Sequence, residues 1–165
     1  MLRFFQRKKD AINKVFGDVK RYDSGWGTSV KPTLELWGKT YKLSCTVVVG
    51  SENPEISQPQ EDIYAKFIEE RVLIQGHVEN IVSDYYNVTD PETLISKFGP
   101  YELMITPNLE CTILASNADD EDIHDVLPGL AVVVYPRMAI FTEEDYSEYA
   151  LRGGANHIKE KLYGG

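Results

Sequence analysis

The chain is poor in the residues that usually give chemistry away. Its 165 residues hold two cysteines, three histidines and two tryptophans. Two thiols make no disulfide framework. Cys45 and Cys111 sit 66 positions apart in apolar, strand-like surroundings (SCTVVV and ECTIL), and neither belongs to a C-x-x-C pair. Buried free thiols are the expectation, because free cysteine behaves as a small hydrophobe. A reducing, cytoplasmic compartment is expected with them. No apolar run approaches the roughly 18 residues that a membrane span needs. The N-terminus, MLRFFQRKKDAINKVF, has basic residues but neither a long apolar stretch nor a small-residue cleavage site, so no secretory signal is expected.

Positive charge is scarce over most of the chain. Lys and Arg number 17 against 26 Asp and Glu, a net −9. The imbalance is uneven: residues 1–23 hold seven cations and three acids, or +4, and residues 24–165 hold ten and twenty-three, or −13. Such a body repels nucleic acid and anionic membranes, so neither is expected as a partner; a basic protein would be attracted. Solubility alone is the competing explanation for the acidity.

The common catalytic and cofactor signatures are missing too. GWGTS lacks the spacing and the lysine of a phosphate loop, and no G-x-G-x-x-G, H-E-x-x-H or G-x-S-x-G occurs. The histidines stand singly. His77 borders the apolar face of a helical stretch and reads as structural, and His157 falls in a polar tail.

What is present builds a fold. With 42% apolar residues, the chain can bury one sizeable core, and a single domain over 1–165 is expected. Phe5, Ile12 and Phe16 suggest a short basic amphipathic helix within residues 1–23, and GDVKRYDSGWGTS reads as a loop. TLELWGKTYKLSCTVVV reads as a hairpin. A type II′ turn at Gly38-Lys39 would pair Leu36 with Tyr41, Glu35 with Lys42 and Leu34 with Leu43. After a loop ending near Ser57, a possible cap, Ile63, Phe67, Ile74, Val78, Ile81 and Tyr85 recur at helical spacing. One long helix from Pro59 to about Tyr86 is therefore expected, with Gly76 its weak point. Asp90-Pro91 opens a short helix that Gly99-Pro100 ends. Two strands turning at Pro107-Asn108 follow, then strands at GLAVVVY and MAIF, and a helix at Glu143–Leu151 before the tail. The sum is an α+β fold: an antiparallel sheet with one long helix on a face, a core over 24–142, and short helices at 1–23 and 143–165.

One stretch stands out. NADDEDIHDVLP, residues 117–128, concentrates Asp119, Asp120, Glu121, Asp122 and Asp125 around His124, just before the apolar run LAVVVY. It lacks the alternating acids, the glycine and the distal glutamate of an EF-hand loop. A loop of acids held between buried strands projects a concentrated negative field, which suits a basic partner. Trp26 is either a lid on the core or an exposed anchor for the same partner. An Asp–His pair or a metal held by Asp119–Asp125 with His124 is the enzymatic alternative, and a plain solvated loop is the plainest reading.

The segment from Gly25 to about Ile140 resembles a family of small, acidic, largely uncharacterised bacterial domains. The resemblance rests on LELWGKTYKLS, on EISQPQEDIYAKFIE, on the helix end NIVSDYY and on the strand GLAVVVY. The basic N-terminal segment and the tail after Phe141 depart from that pattern. Some members act as immunity proteins of toxin systems, contact-dependent growth inhibition among them. The resemblance thus implies a cytoplasmic, non-enzymatic binding protein that neutralises a cognate toxin, with no cofactor, no metal and no catalytic residue. A basic nuclease is the toxin that the charge favours. Asp119, Asp120, Glu121, Asp122, Asp125 and Trp26 are the expected contacts. The alternatives are a small metal-dependent hydrolase and an interaction module with another partner. Oligomeric state stays open.

Overall fold

The computed structural model describes residues 11–22, 25–50, 54–117, 129–142 and 145–146. Ten strands and three helices make up the described residues. Eight strands form one sheet in the order β1 (Ala11–Asn13), β2 (Gly17–Tyr22), β3 (Gly25–Thr28), β6 (Ser44–Val48), β7 (Phe98–Ile105), β8 (Cys111–Asn117), β9 (Leu130–Tyr135), β10 (Ala139–Thr142). The hairpin of β4 (Thr33–Leu36) and β5 (Lys39–Lys42) forms a second, two-stranded sheet. The class is α+β, as expected, but the large sheet is mixed: β6 and β7 run parallel and every other pair is antiparallel.

Parallel neighbours need a crossover. Here it carries α1 (Gln58–Glu69), α2 (Arg71–Tyr86) and α3 (Pro91–Lys97). Together these helices bury Ile63, Phe67, Ile74, Val78, Val82 and Leu94 against one sheet face, on Val47, Leu103, Ile105, Ile113 and Val132. The other face carries a smaller apolar cluster of Ala131, Val133 and Tyr146, with Met104, Leu114 and Phe141 packed at its margin.

The expected single long helix is two. The break falls at Glu70 (φ −96°, ψ 13°) and not at Gly76. A straight helix over 58–86 would run about 43 Å, and the eight residues of β7 span only about 26 Å. Bending lets α1 lie over β7 and β8 while α2 turns toward β9, β10 and the hairpin. Ser57 does cap α1: its side chain accepts the Gln60 N–H, and Gln60 accepts the Ser57 N–H. Asp90 likewise caps α3, accepting the Thr93 N–H at 3.0 Å.

Three further expectations need correction. The N-terminal segment is not helical where it is described. Asn13 Oδ1 accepts the N–H groups of Val15 and Phe16, and Gly17 takes a left-handed φ of 70°. This side-chain turn reverses the chain into β2, leaving Ile12 86% exposed and Phe16 fully buried. The expected loop GDVKRYDSGWGTS supplies β2 and β3, paired Val19↔Thr28 to Tyr22↔Gly25. The hairpin turns one residue earlier than expected, at Trp37-Gly38, with φ of 52° and 80° as a type I′ turn requires. Its register is therefore Leu36↔Lys39 and Leu34↔Tyr41. The shift preserves side-chain parity, so Leu34 and Leu36 still face the core, both fully buried. Left-handed backbone is unfavourable for a tryptophan. Trp37 is held there by Glu79, whose Oε2 accepts its N–H at 3.3 Å, and by an edge-on contact with Phe98.

Pro100 ends no helix; it lies inside β7. It is tolerated because β6 pairs with β7 only from Glu102 onward, and the register shifts between Pro100 and Glu102. The turn at Pro107-Asn108 and strands β9 and β10 lie where the sequence puts them. Most of the expected helix at Glu143–Leu151 lies outside the described residues.

Gln60 fastens this arrangement. It is buried, and its Nε2 donates to the Val48 carbonyl at 2.8 Å and to the Thr106 carbonyl at 3.2 Å. One amide thus joins the start of α1 to the ends of β6 and β7. Gln60→Leu should cost about 3 kcal/mol, because two carbonyls and a capping N–H lose a partner together. Ser57→Ala should cost about 1 kcal/mol. Urea unfolding measures both, and a Gln60→Leu loss below that of Ser57→Ala would refute this role.

Candidate functional site

The acidic stretch leaves the sheet at a well-determined place. β8 ends at Asn117, opposite Phe98, and β9 resumes at Leu130, opposite Ala115. Asn117 is buried and its Oδ1 accepts the Tyr86 hydroxyl at 2.7 Å. The same hydroxyl reaches the Lys97 carbonyl at 3.2 Å, and Lys97 Nζ lies 5.5 Å from the Tyr86 ring centre. The end of α2, the end of α3 and the end of β8 therefore meet at Tyr86. Asp119, Asp120, Glu121, Asp122, His124 and Asp125 lie outside the described residues.

The end of α2 and the start of α3 expose acidic and aromatic side chains. α2 ends at Asn87 in a left-handed conformation (φ 54°), which turns the chain toward α3. Asp84, Tyr85, Asn87, Asp90 and Glu92 are all exposed there, Tyr85 by 42%. The Thr93 hydroxyl, at 2.6 Å, and the Thr93 N–H hold the Asp90 carboxyl below its ordinary pKa. Periodicity places Tyr85 on the buried face of the helix. The buried row is instead Ile74, Val78 and Val82, and Tyr85 stands exposed.

Trp26 takes the first of its two readings. It is 8% exposed, its Nε1 donates to the Pro54 carbonyl at 2.8 Å, and the Arg21 guanidinium lies 5.5 Å from its ring. It closes the core beside β2, and little of its ring is offered outward. His77 is exposed on α2 rather than packed in a structural role.

Both cysteines are free and buried on the helix-covered sheet face, as expected. Cys45 is opposite Leu103 in β7, and Cys111 is opposite Ile105 on the far side of that strand. Two strand spacings and a two-residue offset along β7 put them about 12 Å apart, beyond disulfide reach. Burial pushes the Cys45 thiol up to about 12 and raises Cys111 as well. Neither forms a thiolate nucleophile near neutrality. Among the described residues no group of three or more His, Cys, Asp or Glu is placed to hold a metal ion, and no helix is long and apolar enough to cross a membrane. A concavity of about 490 Å³ over β2 and β3 is open to solvent and lined by Ile12, Asp18, Lys20, Tyr22 and Ser29. What the described surface offers chemically is charge and aromatic area.

No protein-family model, no curated protein and no solved structure matches the chain.

A pH dependence follows from the buried thiols. In the unfolded chain a thiol ionises near 9, whereas folded Cys45 holds its proton to about 12. Tyr64, raised by burial from 10.0 to about 12, adds to this. Stability should be full below pH 9 and fall between pH 9 and 12, as the unfolded state loses protons that the fold retains. Thiol titration with an aromatic disulfide at pH 8 should find no reactive group in the native protein and two after denaturation. Rapid native labelling would contradict the burial of both residues.

Proposed function

We propose that the chain is a non-enzymatic binding protein of the immunity type, which occupies and neutralises a cationic toxin domain. The observation that carries this reading is a juxtaposition. At the end of α2 and the start of α3, Asp84, Tyr85, Asp90 and Glu92 are exposed, and Tyr86 of the same α2 end bonds to Asn117, the last residue of β8 before the acid-rich segment 118–128. The five acids of that segment belong to a body of net −13 over residues 24–165. A field of this kind accelerates encounter with a basic surface and rejects anionic competitors. Charge at a rim steers binding, and buried aromatic contact supplies most of the energy. Tyr85 is the nearest described side chain of that kind.

The toxin is the specific part of the proposal. It draws on the resemblance of the hairpin, the α1 start and the α2 end to small acidic bacterial domains, and on the fit between an acidic inhibitor and a nuclease that holds phosphates with Lys and Arg. A nuclease so occupied is kept from its substrate without any covalent step.

The product of the gene immediately upstream, expressed together with this chain, should co-purify with it and be harmless to the cell. Reversing Asp119, Asp120, Glu121 and Asp122 to lysine should abolish protection, and Tyr85→Ala should weaken the complex by about 2 kcal/mol. Undiminished protection by the charge-reversed protein would remove this face from the proposal. Turnover of a substrate by the chain alone would end it.

A further inference from the structure

α2 is built with its polar and apolar sides in unusual places. Its buried row is Ile74, Val78 and Val82, with Ile81 and Tyr86 half-buried against the core beside it. Beside it, the long polar side chains turn inward to the hairpin. Arg71 Nη1 donates to Thr33 Oγ1 at 3.1 Å, Gln75 Oε1 accepts the Glu35 N–H at 2.8 Å, and Glu79 accepts the Trp37 N–H. Outward, at helical spacing, stand Val72, Leu73, Gly76, His77, Asn80 and Asp84, all exposed. Val72 is 81% exposed and Leu73 59%, and Ile68 at the end of α1 adds a further 38%-exposed aliphatic chain. A solvent face of a helix normally carries most of its charge; here Asp84 is its one carboxylate, Lys or Arg.

Gly76 sharpens the point. A glycine inside a helix is unfavourable relative to alanine, so it usually marks a place where something approaches closely. Among the described residues nothing does: a Cβ at position 76 would meet none of their atoms within 4 Å. The described fold does not require the glycine, and among the described residues the space above it is open.

We propose that the outer face of α2 is the seat of a helix from a cationic partner protein, crossing closest at Gly76 with its apolar side on Val72, Leu73 and Ile68. Charge identifies the occupant. Glu69 and Glu70 are exposed at one end of the stripe and Asp84 at the other. The two neighbouring cations are directed elsewhere, Arg71 to Thr33 and Lys66 to the Tyr135 ring, 4.7 Å from its centre. An apolar stripe bracketed by carboxylates fits a helix whose apolar face is flanked by Lys or Arg. The surface meets the acidic, aromatic end of α2 at Asp84 and Tyr85, and the inference rests on the reading of the chain as a binder of basic proteins.

The probe is a helical peptide of about 18 residues, made of Leu and Ala on one face and Lys on its flanks, titrated against the full chain and followed by amide resonances. Shifts should centre on Val72–Asn80. Leu73→Glu should weaken binding about tenfold or more. Gly76→Gln, which fills the open space with a better helix former, should weaken it similarly while raising the unfolding midpoint by about 2 °C. The same peptide with Glu for Lys should not bind. Shifts confined to Asp84–Glu92 would overturn this seat and leave the binding function standing. No shift at all would overturn it too. Concentration-dependent self-association through Val72 and Leu73 would replace the partner helix by a second copy of the chain and so refute the proposal.

Discussion

The parallel pairing of β6 with β7 constrains most of the remaining architecture. Two adjacent strands pointing the same way cannot be joined by a turn, so some fifty residues must leave the sheet and return. They return as three helices on one face, and that choice determines where the core lies. Gln60 stands at the start of this excursion and bonds to the far ends of both strands. A buried amide with two acceptors in reach is a directional contact, unlike the apolar packing around it, and it sets where α1 begins over the sheet.

That placement determines the exposed surfaces. α1 covers β7 and β8, the chain bends at Glu70, and α2 then packs against both the sheet and the β4–β5 hairpin. Because the hairpin takes up Arg71, Gln75 and Glu79, the outward side of α2 is left with Val72, Leu73 and Gly76. Because Tyr86 near the end of α2 bonds to Asn117, the end of α2 is tied to the last residue of β8 before the acid-rich segment. Two features of different chemistry, an uncharged helical stripe and an acidic aromatic end, are thereby set next to each other on one element.

Much of this was legible in the residues. The capping pattern around Ser57 and Gln60, the Asp90-Pro91 helix start and the Pro107-Asn108 turn are local, and local chemistry decided them. The hairpin was legible in its faces and misjudged in its turn, since nothing nearby announces that Glu79, more than forty positions on, will hold Trp37 in a left-handed conformation. The N-terminal strands were missed for a similar reason: Phe5, Ile12 and Phe16 suggest a helix until Asn13 is seen turning the chain, and the Gly, Asp and Ser of GDVKRYDSGWGTS suggest a loop until its pairing is seen. The break between α1 and α2 was hidden by a continuous apolar period. The surface of α2 did leave a trace in Val72-Leu73-Ile74, three aliphatics in a row, of which a single core row can take only one. As for the site, Trp26 proved to be a core residue, whereas Tyr85, hidden by the periodicity it obeys, stands in the open.

The central claim is that this molecule acts through complementary charge and shape against a basic protein. The most direct test is the rate of association with the product of the gene immediately upstream, measured by stopped flow as ionic strength is raised. The account predicts a rate that falls about tenfold or more between about 20 mM and 500 mM salt, with a dissociation rate that changes far less. An association rate indifferent to salt would contradict it.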